Sequence, residues 1–362
     1  MSITSVALVT PLYFAAESNL GGGERYPLNL AKALVGASPS DVKVRIVSFG
    51  PEYSRHSFTD RLEMTVLPVV ADNGTPLDNI SAEICSCLDE VDLVHVHQAF
   101  TRSGQVAILV AKFLGATLCA TDHGARTNNL DKFTDYLQLV DLFVFYSNFA
   151  ATMIKSQRPR TIIPGGVDTS WFTRPVVPRE RTHVLFVGRL LPHKGVDRLI
   201  EAVPANLPLV VCGRPTNSEF SKHLVAIARG RNVEFVYDAS DEDIRALYQS
   251  AIVTVLPSVH VDTWHNVYLY PELMGLTALE SMACGTPAVV SQAGALPEFV
   301  EDGRTGYVFD SFAELGLICE RIAHTPSMAE DMGREAALVV EERYSLPVVG
   351  EALWRSYCEL QP

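Results

Sequence analysis

Apolar and polar positions along the chain repeat in one order: a short β-branched run is followed by a segment whose apolar residues have helical spacing. In the first half these runs lie at residues 5–10, 42–49, 92–97, 116–121 and 141–147. A second series lies at residues 182–188, 207–213, 232–238, 251–258 and 286–291. Strands that alternate with helices form right-handed βαβ units around a parallel sheet that is buried on both faces. The pattern therefore predicts an α/β protein.

The alternation breaks once, in the Pro- and Gly-rich segment at 163–182, which has no usable periodicity. We expect a linker there and two Rossmann-like, doubly wound domains that face each other across a cleft. The predicted domains are residues 1–170 and 171–345, with a closing apolar helix at 346–362. In such sheets ligands bind outside the carboxyl ends of the strands, so the residues just after each strand are the candidates for a site.

Length and composition agree with this picture and restrict the partners. A chain of 362 residues exceeds one ordinary domain, and 48% hydrophobic with 20% charged residues is typical of a packed globular protein. The formal net charge of −13 argues against nucleic acid and weakens the case for binding to anionic lipid.

The amino terminus and the cysteines bear on location. No run is long enough to cross a bilayer, and the first ten residues have no basic region before their apolar stretch, so we interpret them as a strand and not a signal peptide. Seven scattered cysteines form no zinc or disulfide pattern. These features predict a cytoplasmic protein.

The segment after the run at 182–188 reads GRLLPHKG, and it places Arg189, His193 and Lys194 where the next helix begins near Gly195. Cations at a helix amino terminus are unfavourable, by a few tenths to ~1 kcal/mol each, unless something offsets their charge. A bound polyanion would do so, with the exposed backbone N–H groups sharing it. The segment therefore indicates a phosphate site, with a solvated basic loop as the alternative.

Residues 271–291, PELMGLTALESMACGTPAVVS, hold Glu272 and Glu280 on either side of a turn. Gly275 and Leu276 are predicted to form the turn and Thr277 to cap the helix, so that Glu280 fits a capping box. The structural interpretation of Glu280 is thus that it caps the helix. The structural interpretation of Glu272 is that it is an exposed loop carboxylate. The other interpretation is that both carboxylates accept hydrogen bonds from sugar hydroxyls while helix amides hold phosphate oxygens, a combination that suits a nucleotide-sugar.

Two weaker signals lie in the first half of the chain. Gly21, Gly22 and Gly23 allow close approach of the backbone to a ligand, but the spacing is not that of the dinucleotide fingerprint. His123 follows the run at 116–121, where a site residue is expected, although a single loop histidine is more often structural. We interpret His95 and His97, inside a strand pattern, as structural.

Several motifs together resemble the retaining glycosyltransferases of family 4, which have the GT-B fold. They are FVGRLLPHKGVDRLIEAV, PELMGLTALESMACGTPAVVS and PEFVEDGRTGYVF, with GGGER, DHG and IPGGVDTSWF in matching order. Each motif is moderately specific, and their joint order over nearly the whole chain is highly specific.

The resemblance implies the following roles. Glu272 and Glu280 would be the family's E-x7-E pair, the first facing the reacting carbon of the donor sugar and the second holding the ribose hydroxyls. Arg189 and Lys194 would bind the diphosphate and stabilise it as the leaving group, and His123 would contact the donor sugar. The remaining donor-binding positions would be backbone groups, at Gly22, Gly188, Gly275, Leu276 and Thr277. The last helix would cross back onto the first domain.

The resemblance implies transfer of a hexose from a nucleotide-diphosphate sugar, most favourably a UDP-sugar, with retention by same-face attack. Positive charge aimed at the departing diphosphate would be the main catalytic contribution. No metal and no cofactor is implied, because Arg189 and Lys194 would do the work of a divalent ion, and Asp241–Asp243 is predicted to start a helix.

The sequence departs from the family pattern in two places. Residues 259–271 form an insertion whose His260, Asp262, Trp264 and His265 admit a metal site, although we favour an ordered loop that shapes the donor or acceptor pocket. Phe235-Val236-Tyr237 replaces a common F-x-G, which leaves the nucleobase open.

Other functions stay possible at this point. One is a nucleotide-sugar epimerase or a phosphorylase on the same fold, and another is a non-catalytic, two-lobed sugar-binding protein. An NAD oxidoreductase is disfavoured because the fingerprint is missing. The acceptor is open among a small metabolite, an antibiotic scaffold, a growing glycan and a lipid carrier.

Overall fold

The computed structural model describes residues 3–11, 22–70, 75–124, 135–177 and 179–360, with the backbone alone at 22–24 and 76. The chain divides into two compact units. The first unit comprises residues 1–166 and 346–362, and the second unit comprises residues 167–345. The boundary between residues 166 and 167 falls inside the Pro- and Gly-rich segment 163–182.

The first unit contains an eight-stranded sheet in the order β3-β4-β2-β1-β5-β6-β7-β8. All neighbours are parallel except β3, which pairs antiparallel with β4 at one edge. Its strands are β1 (Ser5–Val9), β2 (Lys43–Gly50), β3 (Ser54–Ser57), β4 (Leu62–Pro68), β5 (Leu93–His97), β6 (Thr117–Thr121), β7 (Leu142–Phe145) and β8 (Arg160–Ile162). The connecting helices are α1 (Gly22–Ala37), α2 (Ile84–Leu88), α3 (Arg102–Phe113) and α4 (Asn148–Ala151), with 3₁₀ turns at Pro76–Asp78 and Tyr136–Leu139.

The second unit contains a six-stranded, all-parallel sheet in the order β11-β10-β9-β12-β13-β14. Its strands are β9 (His183–Val187), β10 (Leu209–Cys212), β11 (Val233–Val236), β12 (Ala251–Leu256), β13 (Ala288–Ser291) and β14 (Gly306–Phe309). Its helices are α5 (Val196–Ala202), α6 (Ser218–Ile227), α7 (Asp241–Ser250), α8 (Leu276–Ala283), α9 (Phe312–Ala323) and α10 (Pro326–Tyr344), with 3₁₀ turns at Pro192–Lys194 and Leu296–Glu298.

The last helix, α11 (Leu346–Cys358), belongs to the first unit and packs on α1. The two helices approach closely at Gly350, where a Cβ atom would lie 2.3 Å from the carbonyl oxygen of Ala33. Tyr357, near the end of α11, is fully buried and its hydroxyl lies 2.6 Å from Nδ1 of His95 on β5. Only a residue without a side chain fits at Gly350, so this position fixes the spacing of the two helices.

The predicted fold class is confirmed: both sheets are parallel or nearly so, with helices between their strands. Each of the ten β-branched runs forms a strand. The strands that the pattern did not predict are β3, β4, β8 and β14. β3 is exposed at every residue and β8 has three residues, so neither has the buried, apolar character on which the prediction depends. No described helix combines the length and the apolar character that spanning a bilayer requires.

Candidate functional site

In the second unit, β9 and β12 lie side by side at the centre of the sheet, and the chain proceeds outward from them in opposite directions. This is the switch point at which open α/β sheets bind ligands, because the loops that leave the two strands diverge there. The two loops are joined by a hydrogen bond from the Val259 N–H to the carbonyl of His193, at 2.8 Å. The predicted donor residues of the second unit lie on these loops and in α8.

The loop after β9 carries three of them. Gly188 directly follows the strand, and Arg189 is exposed. The chain then forms the 3₁₀ turn that ends at Lys194, and Gly195 caps α5 with a left-handed φ of 66°. A Cβ atom at Gly195 would lie 2.1 Å from the carbonyl oxygen of Pro257, at the end of β12. Glycine is therefore needed here both for the backbone conformation and for the close contact between the two loops.

Lys194 and Glu272 form an ion pair, in which the ammonium donates to Oε1 of the carboxylate. Both side chains are largely buried, each with a relative exposure of 16%. The sequence assigned one of them to the diphosphate and the other to the sugar, and the fold brings them into direct contact across 78 positions of the chain. An ammonium has three N–H donors, so two are left for other acceptors.

Glu272 is held from several sides. The hydroxyl of Ser258, just after β12, donates to Oε1 at 3.0 Å. The backbone carbonyl of Glu272 accepts from the Ala295 N–H at 3.0 Å, and a Cβ atom at Gly294 would lie 2.0 Å from that carbonyl oxygen. Gly294 has a left-handed φ of 62°. The Lys194 and Ser258 contacts both use Oε1, so within the described residues Oε2 is the oxygen available to a ligand.

The start of α8 differs from the prediction. Gly275 is the N-cap and Leu276 the first helical residue, so the prediction that Thr277 caps the helix is wrong. Gly275 makes no side-chain cap, and the first turn of α8 contains no acidic residue. The first helical bond runs from the Leu279 N–H to the Gly275 carbonyl at 3.0 Å, which leaves the preceding amides without an acceptor inside the helix.

The capping-box interpretation of Glu280 is also wrong. Because α8 begins at Leu276, Glu280 is the fifth residue of the helix and not the third, and a carboxylate at that position cannot fold back to the cap. Its side chain is buried, with 5% exposure, and its Oε2 accepts from the hydroxyl of Tyr248 on α7 at 3.1 Å. Glu280 is therefore a buried acid that contacts the neighbouring helix α7, and not a helix cap.

His193 is not the cation that its place beside Lys194 suggests. Burial first, and then the positive charge of Lys194, lower the pKa of His193 to about 4, so the ring is neutral at pH 7. The ring lies against Tyr268, with centroids 4.6 Å apart. Arg189 is then the charge without a partner: no carboxylate of the described chain pairs with it.

The insertion 259–271 is an ordered loop arranged around Asp262. Oδ1 accepts from the backbone N–H groups of Trp264 and Asn266, each at 2.9 Å, and Oδ2 accepts from the side chains of Asn266 and Tyr268 at 3.0 and 3.1 Å. Burial alone would raise the pKa of Asp262, but these hydrogen bonds lower it overall. Because they occupy both carboxylate oxygens, Asp262 serves the loop and not a metal.

The loop is also tied to the site, since Tyr268 contacts His193 and Glu272 follows directly after it. Large apolar side chains on it face solvent, namely Val261, Trp264, Val267, Leu269 and Tyr270. Among the described residues, no group of three His, Cys, Asp or Glu side chains converges where a metal ion could be held.

The first unit places its candidate residues at the corresponding edge of its own sheet. His123 follows β6 and is half-buried, and its Nε2 lies 3.2 Å from Nδ1 of His97, the last residue of β5. Tyr26 of α1 contacts both rings edge-on. Burial lowers the pKa of His123 to about 4, so both rings of this edge are uncharged at neutral pH.

Gly22 is the first residue of α1, so the glycine run is in part a helix start and not only a loop. Gly21 lies outside the described residues. Sequence reasoning also missed positions that shape the site, namely Ser258, Gly294, Tyr248 and Tyr268. Gly294 had a signal, since it lies three residues after a buried strand, where backbone approach is expected.

With this geometry established, comparison with known proteins assigns the family. The model for glycosyl transferases group 1 matches residues 168–338. The model for glycosyltransferase family 4 matches residues 20–171. The chain belongs to glycosyltransferase family 4. The family predicted from the motifs is thereby confirmed.

A curated relative of this family 4 glycosyltransferase is the D-inositol 3-phosphate glycosyltransferase of Arthrobacter sp. (strain FB24). The two are 30% identical over 199 residues, which make up 49% of this chain and 45% of the relative. The matching part of the chain thus spans less than half the length of that relative.

Solved structures share the fold over nearly the full length of the family 4 chain. Sucrose-phosphate synthase from Thermosynechococcus elongatus superposes with a TM-score of 0.76 at 20% identity, covering 99% of both chains. Anabaena HepE in complex with UDP and glucose superposes with a TM-score of 0.72 at 16% identity, covering 98% of this chain and 100% of HepE. The GT-B fold predicted for the chain is confirmed by these neighbours.

Proposed function

We propose that the protein transfers a hexose from a nucleotide-diphosphate sugar, most favourably a UDP-sugar, to an acceptor hydroxyl with retention of anomeric configuration. The observation that carries this proposal is the contact between Lys194 and Glu272 at the switch point of the second sheet, beside the uncapped start of α8. In this site the cation and the free amides can bind the diphosphate of such a donor. The carboxylate can contact its sugar, next to the bond that breaks.

The diphosphate is the leaving group, so negative charge grows on it in the transition state. Lys194 has two N–H donors left after its bond to Glu272, and the amides before Leu279 point out of α8. Since Glu272 offsets the charge of Lys194, the exposed guanidinium of Arg189 provides the excess positive charge. Donors fixed in advance around a developing anion are the largest catalytic contribution that such a site offers.

Glu272 has the complementary role. The departing diphosphate leaves positive charge on the reacting carbon, and a carboxylate beside it stabilises an oxocarbenium-like transition state. The Lys194 ammonium, the Ser258 hydroxyl and the close contact at Gly294 hold the carboxylate in one position. Glu280, buried against Tyr248, is proposed to accept from the ribose hydroxyls.

A neighbour of the same fold supports a uridine nucleotide. HepE was solved with UDP and glucose, and this chain has the same fold. Phe235 and Tyr237, at the end of β11, lie with ring centroids 5.9 Å apart in place of the family's F-x-G. We propose that transfer is metal-independent, because Lys194, Arg189 and the α8 amides together cover the charge of a diphosphate.

Calorimetric titration with UDP-, GDP-, ADP- and dTDP-glucose tests the donor. A UDP-sugar is expected to bind most tightly and to raise the unfolding temperature by mass action, with the affinity unchanged when EDTA is present. Tighter binding of another nucleotide would overturn the UDP assignment, and no binding of any donor would overturn the function.

Transfer is tested by incubating the protein with the preferred donor and an acceptor panel, followed by NMR of the product's anomeric coupling. The panel contains D-inositol 3-phosphate, after the Arthrobacter relative, and aryl and alkyl alcohols, because apolar side chains of the loop 259–271 face solvent beside the site. Retention supports the same-face mechanism, whereas an inverted product would overturn it. We also propose a cytoplasmic location, since all seven cysteines are unpaired.

A further inference from the structure

The carboxyl edge of the first sheet contains a row of stacked rings. His95 and His97 of β5 stack with centroids 4.5 Å apart, and His97 and His123 stack at 5.5 Å. His95 and His97 are fully buried, and His123 is half-buried between His97 and Tyr146, whose ring stacks on it with centroids 5.5 Å apart. Burial lowers the pKa of both His97 and His123 below 6.5, so at neutral pH each ring has one N–H and one lone pair.

The tautomer of His95 follows from its partners. The hydroxyl of Thr121 donates to the carbonyl of Val144 at 2.7 Å, so its oxygen accepts the bond from Nε2 of His95 at 2.8 Å. Nδ1 of His95 is then unprotonated and accepts from the hydroxyl of Tyr357 at 2.6 Å. Both nitrogens of His95 are satisfied, and this residue has a structural role.

His97 differs from His95. Its Nδ1 lies 3.2 Å from Nε2 of His123, and its Nε2 is buried without a hydrogen-bond partner in the described part of the chain. Two arrangements satisfy the contact. In one, His97 donates from Nδ1 and an unprotonated Nε2 is left unpaired. In the other, His123 donates from Nε2 and His97 must carry its proton on the buried nitrogen that has no acceptor.

The first arrangement is lower in free energy, because an unpaired buried N–H is rarer and costlier than an unpaired lone pair. His123 Nε2 is then the acceptor, so the proton of His123 sits on Nδ1. Since His123 is half-buried and its Nε2 is occupied by His97, Nδ1–H is the polar group that it can offer to a ligand.

We propose that His97 is a positioning residue that donates from Nδ1 to His123 and thereby fixes His123 as a hydrogen-bond donor, through Nδ1–H, to a hydroxyl or phosphate oxygen of the substrate. The proposal rests on the proposed function for the ligand, and on the geometry of the first unit for the tautomer. In this arrangement His123 does not act as a base, because Nδ1 is protonated and the lone pair of Nε2 is occupied.

The tautomer is measured first, on the unaltered protein without donor. Protein labelled with ¹⁵N in its imidazole rings is studied by long-range ¹H–¹⁵N correlation, and the signals of His123 are assigned by their loss in His123→Gln. The expected pattern has Nδ1 protonated and Nε2 unprotonated in His123. A protonated Nε2, or a mixture of the two tautomers, would overturn the proposal whether or not the protein transfers sugar.

The second measurement separates positioning from packing. His97→Phe keeps a ring in the row but removes the donor, and His97→Asn restores an N–H near the position of Nδ1. In His97→Phe we expect a change in the His123 tautomer ratio and a fall in kcat of about tenfold, the size of one hydrogen bond, with the UDP dissociation constant unchanged. His97→Asn is expected to recover most of that kcat.

Wild-type kcat in His97→Phe would overturn the proposal, as would a loss of kcat that His97→Asn does not restore. If no donor is turned over by the unaltered protein, the proposed function fails, and the tautomer measurement alone decides the present inference.

Discussion

Each sheet brings side chains together at the carboxyl ends of neighbouring strands, but the chemistry of the two clusters differs. In the second unit, the loops after β9 and β12 present an ion pair, an exposed arginine and the uncapped start of α8. In the first unit, the ends of β5 and β6 present neutral, stacked rings from which charge is excluded by burial. The topology thus fixes where a site lies, and the side chains decide what it binds.

The difference matches the two needs of the proposed reaction. A diphosphate needs fixed positive charge, which survives only where carboxylate, solvent or ligand compensates it. A sugar hydroxyl also accepts from a directional, uncharged donor, and we propose that the half-buried His123 imidazole, in one defined tautomer, provides it. In the proposed reaction the two groups come from different units: the charges lie in the second unit and the neutral donor in the first.

Glu272→Gln is expected to have the largest effect on the charged site of the second unit. The amide keeps the size of the carboxylate but loses the negative charge that we propose to lie beside the reacting carbon, so we expect kcat to fall by roughly 10²-fold or more. UDP affinity is expected to stay constant or to rise, because Lys194 loses the carboxylate that offsets it. Steady-state kinetics and UDP calorimetry check both, with Glu201→Gln on the exposed face of α5 as the control. A kcat equal to that of the unaltered protein would remove Glu272 from the reaction.

Lys194→Ala acts on binding. Loss of a charge-assisted hydrogen bond to the diphosphate is expected to weaken UDP affinity by roughly 10- to 100-fold. Calorimetry at constant ionic strength measures this, with Lys222→Ala, an exposed lysine on α6, as the matched control. Equal affinities in the two variants would exclude Lys194 from the phosphate site.

Gly294→Ala tests whether the backbone positions Glu272. A Cβ atom there would lie 2.0 Å from the Glu272 carbonyl oxygen, and φ is 62°. Gly230→Ala is the matched control, since it has a φ of 76° and nothing within 4 Å, and it should lose only the left-handed cost of about 1–2 kcal/mol.

We expect Gly294→Ala to lose more stability than Gly230→Ala in chemical denaturation and, in addition, to lower kcat. If the two variants have the same stability and the same kcat, the contact at Gly294 does not hold the carboxylate.

The neutral histidines of the first unit are tested by the pH dependence of stability. In the unfolded chain a histidine takes up a proton near pH 6.5, whereas burial lowers the pKa of His123 in the folded protein to about 4. Between these values the unfolded state binds more protons, so the free energy of unfolding falls as the pH falls from 6.5 towards 4.

Denaturant titrations over this range are expected to give a shallower pH dependence in His123→Gln than in the unaltered protein. His324→Gln, an exposed histidine that caps α9, serves as the comparison. An unchanged slope in His123→Gln would show that this ring is not held neutral by the fold.

Much of the architecture could be predicted from local sequence. The ten predicted strands were evident because β-branched runs flanked by helical segments have one stable arrangement, a parallel sheet covered on both faces. Asp241–Asp243 was predicted to start a helix, and it does so with a capping box between Ser240 and Asp243. Exposed or very short strands such as β3 and β8 lack that signal, since pairing with a neighbour and not burial forms them.

The sequence predicted which residues form the site but not which of their side chains are in contact. Motif order assigned Lys194 and Glu272 to one ligand, but nothing local indicates that their side chains pair, because 78 positions of chain separate them. The start of α8 was placed two residues late, and that shift alone turned Glu280 from a buried partner of Tyr248 into an apparent cap. The charge of His193 was likewise misjudged, since burial is a property of the folded neighbours.

The sequence by itself therefore determined the ten strands with β-branched runs, the family and the identity of the residues at the strand ends, all of which depend on short-range pattern and order. The tertiary structure alone decided which of those residues touch, which are charged and which nitrogen carries a proton. These properties depend on desolvation and on hydrogen-bond partners that come from distant parts of the chain.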